Sequence, residues 1–220
     1  MVRMTPDSPP PVYDAFLGID PGKKFGLLAM NRDGEVQWTA KPTKKDGGEW
    51  EECETLIRQF FSAYKSARDK RLRRRSNPMA LPDYRVLVVC ELWINRGQNR
   101  NIWNNGRWHS DLDHLLRSLG IPKDELPIMR PGPSEWKGAC GIPNNYGEKE
   151  TVVKTSGKVI PGYPAVMRSH HLAGQDELTS TWTPDLFAAW GLAEFGRRSS
   201  IGLPNRDLIT LPSTPKGSIR

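Results

Sequence analysis

Three carboxylates stand where the chain changes direction. Asp20 closes a short apolar run, Ala15–Ile19, and opens an Asp-Pro-Gly turn (Asp20, Pro21, Gly22). Glu91 follows directly on the β-branched run RVLVVC, residues 85–90. Asp185 is the third residue of Thr183-Pro184-Asp185, which reads as an N-cap, a proline at the first helical position and an acid in the first turn. Singly, an Asp-Pro-Gly is usually a turn and an early helical acid usually complements the dipole. Glu91 is less ordinary, because a carboxylate at the end of a buried strand is costly unless it is paired or binds a metal. Gathered within a few ångströms, three carboxylates repel one another and need a compensating cation. An all-oxygen set of this kind suits a hard divalent ion, Mg²⁺ or Mn²⁺.

The elements that must bring these acids together are readable from periodicity. Residues 15–19 and 25–30 predict two strands, Asn31-Arg32-Asp33-Gly34 a hairpin turn, and residues 35–40 an alternating edge strand. A long helix is predicted from Glu49, with Trp50, Cys53, Ile57, Phe60, Phe61 and Tyr64 at steps of three and four. Residues 85–90 predict a strand buried on both faces, as in a sheet with helices on either side. Leu112, Leu115, Leu116 and Leu119 mark a second helix, stopped by Gly120 and Pro122. Short pieces follow: a strand at 127–130, and helical turns at 134–139 and 148–154. Residues 155–182 show no clear period and are expected to be an insertion or mobile loop. The last helix is expected to run from Thr183 to about Arg197, before a polar, Pro-rich tail over 198–220. The order β β β α β α β α predicts an α/β layer with an antiparallel start. If the first and fourth strands are neighbours, Asp20 and Glu91 leave adjacent strand ends, and a helix across the sheet brings Asp185 over both.

Four stretches together resemble the RuvC-type Holliday junction resolvases of the RNase H-like superfamily. FLGIDPGKKFG is similar to that family's first-strand motif, and VLVVCELW to its fourth-strand motif. RPGPSEWKGACG…GEKETV resembles its Pro-x-x-x-Lys…Gly…Lys stretch, and TPDLFAAWGLA its final helix. The match covers roughly residues 15–195. The resemblance implies an RNase H-like α/β fold: a mixed central sheet, antiparallel in its first three strands and then parallel, flanked by helices. It implies a nuclease domain over 15–197, after a flexible arm over 1–14.

By the same resemblance the chain is a metal-dependent endonuclease that resolves Holliday junctions or other branched DNA by paired nicks. Asp20 would bridge two Mg²⁺ or Mn²⁺ ions about 3.5–4 Å apart, Glu91 would bind one and Asp185 the other. Products would carry 5′-phosphate and 3′-hydroxyl ends. Two symmetric nicks call for two active sites on a two-fold axis, hence a homodimer. The family usually carries a second acid or a histidine three residues from the last aspartate; here those positions are Trp182 and Ala188, with Asp176 or Glu177 as loop alternatives. Two other readings stay open: an RNase H-like nuclease acting on an RNA precursor or a flap, and a catalytically degenerate nucleic-acid-binding protein. An actin-like ATPase also begins with a Gly-Ile-Asp-x-Gly strand, but 220 residues hold one lobe where two are needed.

Lys137 and Lys149 fall on the family's basic positions and could hold phosphates, or be solvated lysines. After Glu91 the segment NRGQNRNIWNNGRW interleaves amides and arginines with aromatics, so Trp93, Arg96 and Arg100 are candidate nucleic-acid contacts alongside Trp103 and Trp108. The alternative is a structural loop anchored by tryptophan. His109, Asp113 and His114 read as the solvated face of the leucine-striped helix, and His170-His171 as part of a loop facing DNA.

Charge is concentrated. Thirty-two Lys and Arg against 25 Asp and Glu give +7, yet residues 65–75 hold seven basic side chains and one acid. The rest of the chain is close to neutral. Arg71, Arg73, Arg74 and Arg75 are the core of that patch and imply a nucleic-acid partner. No apolar run approaches the ~18–20 residues of a membrane span, and the N-terminus has no apolar core of a secretory signal. Three widely spaced cysteines form no CxxC pair, so neither a zinc ribbon nor a disulfide framework is expected. A reducing, cytoplasmic setting fits, with no small-molecule cofactor. The compact size and the 155–182 stretch suggest a phage or mobile-element version.

Overall fold

The computed structural model of the chain describes residues 13–21, 25–43, 49–73, 86–92, 102–120, 127–147, 149, 151–153 and 159–209. Strands β1 (Ala15–Asp20), β2 (Gly26–Asn31) and β3 (Val36–Ala40) form the expected antiparallel meander. Asn31 turns it: its side-chain oxygen accepts the N–H groups of Asp33 and Glu35, leaving Gly34 to take the left-handed φ of 89°. Helix α1 (Glu49–Arg73) then leads to β4 (Val86–Cys90), which pairs parallel with β1, and helix α2 (Ile102–Ser118) leads to β5 (Ile128–Met129), parallel with β4. The sheet order is β3-β2-β1-β4-β5. It is the mixed α/β arrangement expected from the sequence.

Both faces of the sheet are covered, and alternation along each strand sorts side chains between them. Leu17 and Ile19 of β1, with Val86, Val88 and Cys90 of β4, pack beneath α1 and α2 against Cys53, Ile57, Phe61, Leu112 and Leu116. Phe16 of β1 and Leu87 and Val89 of β4 face the opposite way. They meet α3 (Pro133–Ala139) and α6 (Pro184–Ile201) through Trp136, Leu186, Ala189 and Ala193. Full burial of each large apolar side chain contributes about 1.5–3 kcal/mol.

Helix α6 lies directly on the strands. A Cβ on Gly18 would sit 1.9 Å from the Ala189 carbonyl oxygen, so only glycine lets helix and strand backbones touch there. The helix ends on Gly202 at φ 70°. It runs past the expected Arg197 to Ile201. The chain then folds back, with Arg206 N–H and Ile209 N–H donating to the carbonyls of Ala139 and Gly141.

One expectation is corrected. Residues 148–154, expected as a helical turn, contribute β6 (Thr151–Val153), which pairs antiparallel with β7 (Val159–Pro161). β-branched Thr151, Val152 and Val153 favour that outcome. Residues 155–182, where the sequence shows no clear period, hold β7, α4 (Tyr163–Val166), a π-helical turn (Met167–His171) and α5 (Asp176–Thr179). Tyr163, Val166, Met167, Leu172 and Trp182 are buried in the α6-side core. Elements of three to five residues are too short to show a period. No described helix is long and apolar enough to cross a membrane.

Candidate active site

Strand parity settles the direction of two of the three carboxylates. Asp20 continues the row of Phe16 and Gly18, which faces α6; Glu91, one residue beyond β4, continues the row of Leu87 and Val89 to the same face. The parallel β1–β4 pairing brings them to one edge, where the Glu91 N–H donates to the Ile19 carbonyl at 3.3 Å. Asp20 pairs in register with Gly26. A Cβ on Gly26 would lie 2.0 Å from the Asp185 carbonyl oxygen. The first turn of α6 therefore rests on the strand end beside Asp20. All three acids are half-buried.

The charge of Asp20 and Glu91 is felt by Cys90, which faces the α1–α2 side. Burial pushes its thiol up; Arg130 opposes this, and the Asp20 and Glu91 carboxylates push it further up. The Cys90 sulfur lies 3.9 Å from His109 Nδ1. His109 is lowered by burial and by Arg130, with Asp113 opposing. Asp113 is ion-paired with Arg130. Thus His109 and Asp113, expected on a solvated helix face, are engaged behind the carboxylate edge, and His114 is exposed. Beside them Phe25, at a left-handed φ of 41°, is held by Trp50 and Trp108 at ring distances of 6.0 and 4.9 Å. Trp108, a candidate for base stacking, is part of this aromatic cluster.

Glu91 has a further partner that the sequence did not single out. Trp136 of α3 donates its indole N–H to Glu91 Oε2 at 3.2 Å. Lys137 sits beside that ring rather than extended into solvent. Its ammonium lies 5.5 Å from the Trp136 ring and 5.2 Å from the Tyr163 ring, and donates to the Tyr146 carbonyl at 3.3 Å. Lys149 is exposed, with its carbonyl packed against Gly162. Asp176 and Glu177 are both exposed on α5. Trp93, Arg96, Arg100, Arg74 and Arg75 lie outside the described residues; Arg71 and Arg73 are on the last turn of α1, with side chains outside the description. His170 is exposed, but His171 turns inward: its Nε2–H donates to the Cys140 carbonyl at 2.7 Å and its ring stacks on Trp190.

The donor chemistry of Asp20, Glu91 and Asp185, carboxylate oxygens only, fits a hard divalent ion. Among the described residues no three His, Cys, Asp or Glu side chains already converge on one ion-sized point. The backbones converge, while the Glu91 carboxylate is turned to Trp136.

No protein-family model and no curated protein matches the chain. Solved structures do. The RuvC of T. thermophilus in complex with a Holliday junction substrate is similar at a TM-score of 0.51 and 14% identity, over 87% of this chain and 98% of that one. A Thermus thermophilus RuvC structure covers the same shares at 0.46 and 15%. At that identity the likeness is one of fold: this chain has the α/β RNase H-like fold.

Proposed function

We propose that the chain is a divalent-metal-dependent endonuclease acting on branched DNA, with four-way junctions as its substrate class. The observation that carries this reading is the meeting of Asp20, Glu91 and the head of α6 at one sheet edge, all on the face toward α6. Acids on two adjacent parallel strands and a crossing helix share one edge, and turning their carboxylates together would call for a counter-charge. Asp20, Glu91 and Asp185 would hold Mg²⁺ or Mn²⁺, and the bound ions would supply Lewis acidity and an activated water for phosphodiester hydrolysis. Asp20, on the central strand, is the residue proposed to serve both ion positions. Half-burial limits the water around all three acids and so strengthens their charge interactions. Lys149, and Lys137 where the cation leaves its aromatic seat, are proposed to meet flanking phosphates. Trp93, Arg96 and Arg100 follow Glu91 in the chain and are proposed to meet the strand next to the cut. A homodimer would deliver the paired nicks.

The likeness in fold to a RuvC bound to a Holliday junction supports the choice of branched DNA over other substrates. Asp20→Asn is expected to reduce Mg²⁺-dependent cleavage of a synthetic four-way junction to background while leaving junction binding intact. Linear duplex and structured RNA serve as controls. A variant that still cuts removes Asp20 from the chemistry; preferential cutting of RNA replaces the substrate class.

A second reading draws on the dispersed carboxylates: a nucleic-acid-binding protein that keeps the fold without the chemistry. Calorimetric titration of the wild-type chain with Mg²⁺ and Mn²⁺ separates the two, since that protein would bind neither.

A further inference from the structure

The geometry points to Trp136 and Tyr163 as positioning residues that fix the Glu91 carboxylate relative to the head of α6. This rests on the reading of Glu91 and Asp185 as ion-binding groups. Trp136 is 1% exposed, yet its single polar atom is spent on a half-buried carboxylate, at 3.2 Å. That contact is built for. A Cβ on Gly191 of α6 would meet Trp136 Cε3 and Cζ3 at 2.6 Å, so α6 carries a glycine where the indole passes. The ring is thereby wedged between α6 and Glu91, and it can swing little without losing one neighbour or the other.

Tyr163 completes a bracket. Its ring meets Trp136 edge-on at 5.7 Å and 86°, and its hydroxyl donates to the Pro184 carbonyl at 3.1 Å. Pro184 opens α6, and Asp185 is the next residue. The contacts Glu91–Trp136–Tyr163–Pro184 therefore run from one carboxylate to the residue adjoining another. The Lys137 ammonium, 5.5 Å from the Trp136 ring and 5.2 Å from the Tyr163 ring, adds attraction to both. A hydrogen bond that orients a ligating carboxylate lowers the cost of ordering it when an ion arrives; losing such a partner typically weakens metal affinity or activity by about 10–100-fold.

The test uses the full chain and Mg²⁺ alone. In wild type the Trp136 indole N–H resonance, assigned by its loss in Trp136→Phe, is expected to shift in Glu91→Gln and again on Mg²⁺ titration. Trp136→Phe keeps an aromatic ring and removes the donor; Mg²⁺ affinity by calorimetry is expected to fall about tenfold or more. Tyr163→Phe removes only the hydroxyl and is expected to weaken Mg²⁺ binding by a smaller factor. A purely structural tryptophan predicts a lower melting temperature with Mg²⁺ affinity unchanged, and that result overturns the assignment. If Trp136→Phe does not fold, the indole resonance is assigned in the wild-type chain by its through-space contacts with the Tyr163 ring, 5.7 Å away, and decides: a peak unmoved by Glu91→Gln overturns it. Should the wild-type chain bind no Mg²⁺ while the peak still responds to Glu91→Gln, the bracket exists and the metal reading is what fails.

Discussion

His171 shows how far one side chain's setting can depart from its sequence neighbourhood. Two adjacent histidines in a Gly- and Ser-containing stretch read as solvent-facing. The structure instead divides them, with His170 outside and His171 stacked at 15° on Trp190. Burial pushes the His171 imidazole down to about 4 from 6.5, and the charge of Arg206 adds to this, while its bond to the Cys140 carbonyl opposes it. A folded pKa below the unfolded one means that the unfolded chain takes up a proton first. Stability is then full above pH 6.5, falls as pH drops toward 4, and changes no further on this residue's account below that. His171→Gln can keep a donor to Cys140 and abolish the titration, so its melting temperature should vary less between pH 6.5 and 4 than wild type. Parallel pH profiles for the two proteins would remove His171 as the cause.

Glu194 was equally hidden in the sequence. It is 1% exposed and receives Arg197, Arg198 and Arg206 at 2.7, 3.1 and 3.0 Å. Burial alone would raise this carboxyl, but the hydrogen bonds and charges of Arg197 and Arg206 outweigh it and hold it low. Asp20, Glu91 and Asp185 stand out as candidates because turns, buried runs and helix starts mark them locally. Trp136 and His171 could not, because their partners lie 45 and 31 residues away in the chain; for Glu194, Arg197 and Arg198 stand at local helical spacing, but its burial and Arg206, 12 residues on, leave no local mark.

At the scale of elements, the placing of Asp185 depends on glycine. The first turn of α6 touches β2 through Gly26, and its middle touches β1 through Gly18. Gly26→Ala would put a methyl 2.0 Å from the Asp185 carbonyl oxygen, so the head of the helix must lift. Gly18→Ala makes a similar collision at Ala189, a turn further along. Both are expected to lose about 1–3 kcal/mol or more of stability, as overpacked sites do. Gly138→Ala meets nothing within 4 Å inside α3 and should be neutral or gain about 0.5–1 kcal/mol. Compared at a temperature where both are folded, Gly26→Ala should cut four-way junctions much more slowly than Gly18→Ala. Equal loss in the two would mean that the position of Asp185 does not limit the reaction.

The strands and long helices were legible for the reason these glycines were not. Val86–Cys90 and the leucine stripe of α2 announce themselves by local pattern. Backbone-to-backbone approach leaves no periodic trace, and neither do elements as short as β6 and α4.

For the whole molecule, the proposed DNA contact turns on where so concentrated a charge lies relative to the carboxylates. Helix α1 carries the basic run to Arg73, and the chain re-enters the sheet at Val86. Glu91 lies at the far end of β4, so five residues at about 3.3 Å each separate the start of that strand from the carboxylate edge. That is roughly 17 Å, too far for one side chain to serve both ends. If the basic run is that far from the carboxylates, it would hold a DNA arm by its phosphates while the cut is made elsewhere, and such contacts set affinity and its salt dependence rather than turnover. Replacing Arg71, Arg73, Arg74 and Arg75 by Gln should weaken junction binding. If all four meet phosphates, it should also reduce the slope of log affinity against log salt by up to about 3.6, from about 0.9 per contact. The cleavage rate at saturating protein should hold within about twofold, because uniform binding is lost without change at the reacting centre. An unchanged salt slope would assign the run to solvent. A collapse of the saturated rate would move the patch to the cut site, and with it the path of the DNA across the sheet.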